Sequence, residues 1–133
     1  MSLKFQLQSG KKVEIDIAPI DLGINLCRCV INECKNAGLD ISINEGDTVL
    51  DLIFKNKEAV LNIFSSEQVL EAVKDCCAKV LYDKQRFSME IFEKVENRKD
   101  FIPLMMIVGM ENIRPFFSAP HTILDALQSQ FLM

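Results

Sequence analysis

The chain has 133 residues, of which 49% are hydrophobic and 26% charged, with 15 basic side chains against 19 acidic ones. This length supports one domain whose core needs neither disulfide nor metal, and the composition is globular rather than disordered. The formal charge is −4 and the nearest approaches to a basic patch, Lys11-Lys12 and Arg98-Lys99, have acidic neighbours, which argues against nucleic acid as a partner.

Residues 3 to 17 alternate. Leu3, Phe5 and Leu7 fall on one side and Lys4, Gln6 and Gln8 on the other. After Ser9-Gly10-Lys11 the period resumes with Val13, Ile15 and Ile17 against Glu14 and Asp16. Period two on both sides of a glycine turn predicts a β-hairpin with one buried face. Ala18-Pro19 ends it, because proline cannot donate to a strand ladder.

A helix is expected from about Asp21 to Asn36, with Leu22, Leu26, Cys29, Val30 and Ile31 on or near one stripe and Gly38 suited to its C-terminal cap. Residues 39 to 44 form a third strand or a loop. Asp47 or Thr48 opens a second helix to about Phe64, with a polar middle at Lys55-Asn56-Lys57-Glu58. Ser65 and Gln68 fit a capping box for a helix carrying Val69, Leu70, Val73, Cys77, Val80 and Leu81.

Residues 83 to 88 read as a polar connection. Met89 to Phe117 is helical in two pieces, the second capped by Asp100, with Pro103 in its first turn and Pro115 closing it. Its apolar run, Phe101 to Met110, is about half the length that spans a bilayer, so no transmembrane helix is expected. Ile123, Leu124, Leu127 and Phe131 recur at helical spacing in the last sixteen residues. The predicted fold is α+β, mostly α: a β-hairpin over about 3–17 followed by a bundle of four to six helices. One domain is expected over 1–117, and 118–133 form a C-terminal tail with a short amphipathic helix.

Reactive groups are scarce. The one histidine, His121, lies in that tail. The five cysteines are Cys27, Cys29, Cys34, Cys76 and Cys77, without the two-to-four-residue spacing of a tetrahedral zinc site. On a helix Cys27 and Cys29 point about 200° apart, while Cys27 and Cys34 share a face but need two more ligands. With no secretory pattern at the start, the thiols read as small buried hydrophobes of a cytosolic protein. The glycines form no phosphate-binding loop. Met105, Met106 and Met110 suit a helical core or an adaptable groove. No catalytic residue, cofactor or metal is expected, and protein interaction is the function these residues allow.

Three segments carry a resemblance. The first is the hairpin from Lys4 to Pro19, with its Ser-Gly-Lys turn and its Ala-Pro end. The second is the helix after Ser65-Ser66, with Val69, Leu70 and the cysteines near Cys76. The third runs from Phe92-Glu93 through Asp100-Phe101 to Asn112-Ile113-Arg114-Pro115-Phe116-Phe117, and its last six residues are the most specific. In these the chain resembles the tail assembly chaperones of long-tailed bacteriophages and related prophages.

The resemblance implies a non-enzymatic protein that binds the tape measure protein in the bacterial host cytoplasm and keeps it soluble. It helps recruit tail tube subunits and is absent from the mature virion. It also implies a short form beside a longer frameshifted one, and homo-oligomers. A structural or adaptor component of a particle is the alternative reading. Helix-in-groove recognition needs exposed apolar side chains. The candidates are Phe116, Phe117, Ile123, Leu124, Leu127 and Phe131. For the phenylalanine pair, closing the core beneath the hairpin is the competing reading.

Overall fold

A computed structural model describes residues 2–36 and 57–116. The expected third strand or loop at 39–44, the start of the second helix and the whole of 117–133 lie outside the described residues.

The hairpin forms as its alternation requires. Strand β1 (Ser2–Gln6) runs antiparallel to β2 (Lys12–Asp16), with Leu3 opposite Ile15 and Phe5 opposite Val13. Gly10 takes φ +95° in the turn, where its N–H donates to the Leu7 carbonyl at 2.8 Å. That left-handed conformation is one glycine adopts without steric cost. Leu7, Val13 and Ile15 are buried, while Ser2, Lys4 and Gln6 are exposed. Ile17 departs from the expected face. The strand ends at Asp16, and Ile17 is 41% exposed.

Helix α1 (Ile20–Asn36) buries Gly23, Leu26, Val30 and Cys34. This stripe is rotated from the expected one. Leu22, Cys29 and Ile31 are half-buried at its flanks. Helix α2 (Lys57–Phe64) ends where expected, and α3 (Glu67–Asp75) follows after a two-residue break. The cap of α3 is Ser66, whose Oγ accepts from Val69 N–H at 3.2 Å. Ser65 instead donates to the Asn62 carbonyl, so the cap sits one residue later than predicted, and Val69 in the third helical position cannot complete a capping box.

The next segment overturns the expected helical bundle. Helix α3 stops at Asp75 instead of running through Leu81. After the turn at 76–79, β3 (Leu81–Tyr82) and β4 (Gln85–Arg86) extend the hairpin into a four-stranded antiparallel sheet, in the order β1-β2-β3-β4. Val80, Leu81 and Tyr82 are residues that suit a half-buried pleated surface. Asp83 (φ 49°) and Lys84 (φ 67°) are both left-handed, the turn whose twist matches that of paired strands. The Asp83 N–H donates to the Lys12 carbonyl at 2.7 Å and joins this turn to β2.

The expected helical piece after Met89 is a pair of 3-10 helices, Met89–Glu93 and Val95–Asp100. Side chains here satisfy main-chain groups that a continuous helix would use. Ser88 Oγ accepts from Glu90 N–H, Asn97 Nδ2 donates to the Ile91 carbonyl, and Arg98 Nε donates to the Phe92 carbonyl. Such local bonds compete with helix continuation. The Phe92 ring packs against Tyr82 and Phe101, with centroids 5.3 and 5.2 Å apart.

Helix α4 (Phe101–Ile113) is the centre of the domain. Every residue from Leu104 to Ile113 is buried. A helix apolar on all sides must be covered on all sides, here by α1, α2 and α3. Met105, Met106 and Met110 are therefore core rather than groove. Pro103 sits in the first turn, where its missing N–H removes no helical bond. Gly109 admits the Phe64 ring, since a Cβ at 109 would lie 3.0 Å from Cδ1 and 3.2 Å from Cζ and closer still to Cε1. Pro115 is accommodated in a final 3-10 turn, Arg114–Phe116. No helix among the described residues is long and apolar enough to cross a membrane.

Candidate functional site

The segments that carry the resemblance meet at two points. At the first, Asn112 near the end of α4 makes two hydrogen bonds: its Oδ1 accepts from Ala18 N–H at 2.9 Å, and its Nδ2 donates to the Val108 carbonyl at 2.8 Å. Asn112 is 1% exposed, so the bond to Ala18 satisfies a main-chain donor just where proline ends the ladder. Two residues on, Arg114 pairs with Glu111 at 3.3 Å. Phe116 then lies over Gly23 of α1. A Cβ added there would be 2.8 Å from its Cε2, so glycine lets the ring come this close.

Around this junction apolar surface is left in solvent. Ile20 is 71% exposed, and Ile17 and Phe116 are each 41% exposed. Ile20 opens α1 one turn before Gly23, the glycine that Phe116 approaches, and lies off the buried stripe. Pro19 is exposed between the two isoleucines. Ile17 and Ile20 flank the start of α1, and the approach of Phe116 to Gly23 brings a third apolar side chain to that end of the helix.

The second meeting point is polar. Asp100 is 3% exposed, and its Oδ2 accepts from Tyr82 Oη at 2.5 Å and from Ser9 Oγ at 2.8 Å. Tyr82 Oη also lies 3.3 Å from Asn97 Oδ1. Burial, then the hydrogen bond to Asp100 and its charge, push the Tyr82 hydroxyl well above its ordinary value, so it stays a neutral donor. Asp100 stands at the helix start without capping it; it joins the hairpin turn, β3 and α4 instead. Outside Tyr82 a cleft of about 450 Å³ opens between the β3–β4 turn and the 3-10 helices. Lys11, Arg86 and Lys94 line it together with Asp83, Glu90 and Glu96, and Lys11 pairs with Asp83 at 3.3 Å. Its charges balance, and no one sign of ligand is favoured.

The thiols are held as neutral hydrophobes. Burial, first of all, pushes Cys27, Cys34 and Cys76 up to about 11 and Cys77 up to about 12. The thiolate is the nucleophile and the metal ligand, and burial disfavours it. Among the described residues no group of three histidine, cysteine, aspartate or glutamate side chains could hold a metal ion.

Of the six side chains predicted as partner-binding, Phe116 is placed at the apolar surface; Phe117, Ile123, Leu124, Leu127 and Phe131 lie outside the described residues, as does His121. Sequence reasoning missed Ile17 and Ile20. Alternation assigned Ile17 to the buried face. Ile20 carried a usable signal, an apolar residue directly after Pro19 that lies off the buried stripe of the helix it opens. Comparisons with protein-family models, with curated proteins and with solved structures find no match.

Proposed function

We propose that the chain is a phage tail assembly chaperone that binds the tape measure protein through the apolar surface of Ile17, Ile20 and Phe116. One observation carries this reading: Ile20 stands 71% exposed one turn before Gly23, the glycine that Phe116 approaches, where the Ala-Pro and Asn-Ile-Arg-Pro-Phe segments of the resemblance come together. A core that buries ten consecutive residues of α4 leaves Ile20 71% exposed, so packing among the described residues does not account for it. An amphipathic rod-forming protein offers helical apolar stripes that such a surface can cover. The half-exposed ring is already positioned on glycine, which lowers the ordering cost of binding.

The test is co-expression with the tape measure protein of the same genome. The unmodified chain keeps that protein in the soluble fraction as a complex. The Ile20→Ser, Phe116→Ser double variant, folded by circular dichroism, leaves it insoluble. Equal rescue by both chains would reject the surface, and rescue by neither would reject the function. In purified virions, mass spectrometry finds no trace of a chaperone, whereas a particle component would be present in stoichiometric amount.

A further inference from the structure

Among the described residues no strand pairs with the outer side of β1, and this edge is a second surface, independent of the apolar one. Among the described residues the sheet ends at β1 on one side and at the two-residue β4 on the other. Two bonds establish which way the β1 main chain points. Leu7 N–H donates to the Lys11 carbonyl, and Asp83 N–H donates to the Lys12 carbonyl. In an antiparallel pair the bonded and non-bonded positions alternate. Lys11, Val13 and Ile15 therefore turn their main-chain groups to β1, and Lys12 and Glu14 turn theirs to β3. By the same alternation Leu3, Phe5 and Leu7 bond to β2, and Ser2, Lys4 and Gln6 turn their main-chain groups to the open edge.

What this strand accepts is visible on its occupied side. There Val13-Glu14-Ile15 runs antiparallel to Leu3-Lys4-Phe5, with Glu14 opposite Lys4 and the two charges 3.8 Å apart. Leu3 and Phe5 are only partly buried, so part of their apolar surface is uncovered. Lys4 stands 76% exposed at the centre of the edge. A second copy of β1 laid antiparallel in full register would set Lys4 against Lys4, and a lysine at an edge discourages such self-pairing.

We propose that the open edge of β1 binds an extended segment of another protein with the pattern apolar–acidic–apolar, paired antiparallel as a fifth strand. Main-chain bonds from Ser2, Lys4 and Gln6 hold the segment. Lys4 selects its acidic residue, and Leu3 and Phe5 take its apolar neighbours.

Hydrogen exchange tests this with a blocked Thr-Val-Glu-Val-Thr peptide and its lysine counterpart Thr-Val-Lys-Val-Thr. At millimolar glutamate peptide, exchange of the Lys4 and Gln6 amides slows by about tenfold, and the lysine peptide has a smaller effect. Lys4→Pro removes a donor that β2 does not use and abolishes the protection. Lys4→Glu, which keeps every main-chain donor, reverses the preference between the peptides. The proposal is overturned if neither peptide protects these amides, or if both protect them equally. It is also overturned if protection arises without peptide and rises with protein concentration, the mark of a second copy.

Discussion

Helices α1 and α4 use apolar residues in opposite ways. In α4 the ten residues from Leu104 to Ile113 are all buried, including the polar Glu111 and Asn112. In α1 four of seventeen residues are buried, and an isoleucine at its first position stands in solvent. Packing accounts for α4 completely, so nothing in it remains to be explained by a partner. Packing accounts for the stripe of α1 and leaves Ile20 over. Substitutions in α4 should thus be read as stability, and substitutions at the start of α1 as binding.

The sharpest way to break that contrast is at Gly109. An alanine in a helix interior normally stabilises relative to glycine by about 1 kcal/mol. Here its methyl group would press into the buried Phe64 ring, and overpacking of this kind costs about 1–3 kcal/mol. Gly109→Ala should lower the urea midpoint at an unchanged slope, and adding Phe64→Leu should recover part of the loss. A gain in stability from Gly109→Ala alone would mean that the ring does not lie against α4.

Asn112→Ala comes next. It strands the Ala18 N–H and removes a buried amide, for an expected loss of about 1–3 kcal/mol in chemical denaturation. Tyr82→Phe should lose about 1 kcal/mol at neutral pH, by removing one donor to Asp100. Its pH dependence sharpens the assignment. The folded Tyr82 hydroxyl lies above its ordinary value of 10.0, so its contribution is complete below pH 10 and fades as the pH rises through the folded value. The thiols act with the same sign, from their ordinary 9.0 up to about 11 or 12. Stability should therefore fall steadily above pH 9, and above pH 10 the Tyr82→Phe protein should fall less steeply than the parent.

The smallest effect on stability is the most informative for binding. Ile20→Ser should change the free energy of unfolding by less than about 0.5 kcal/mol, because the side chain is already in water. It should nevertheless weaken rescue of the tape measure protein in co-expression. A large stability loss at Ile20 would show that the residue belongs to the core and would remove it from the binding surface.

The parts of the fold that were legible had redundant signals. Alternation with a glycine turn set the hairpin, and three-to-four spacing before Gly38 set α1. The uninterrupted apolar run set α4. The β3–β4 pair was not legible because its strands have two residues each and its left-handed turn is built from Asp83 and Lys84 rather than glycine or asparagine. Val80 and Leu81 matched a helical period by coincidence, and so extended α3 on paper. Asp100 read as a cap because of its position, whereas tertiary donors from Ser9 and Tyr82 captured its carboxylate. At the candidate surface Phe116 was foreseen. Ile17 was not, since a period of two carries no information about where the ladder stops.

The hydrogen bond from Ala18 to Asn112 joins positions 94 apart in sequence, and that from Ser9 to Asp100 joins positions 91 apart. On the ribosome the hairpin and α1 emerge long before the helix that covers them. Their apolar faces must wait through most of synthesis, and the domain closes in one late step when α4 arrives. A nascent chain stalled before Asn112 therefore already has α3 to set against α1, but lacks the side-chain amide that satisfies the Ala18 N–H.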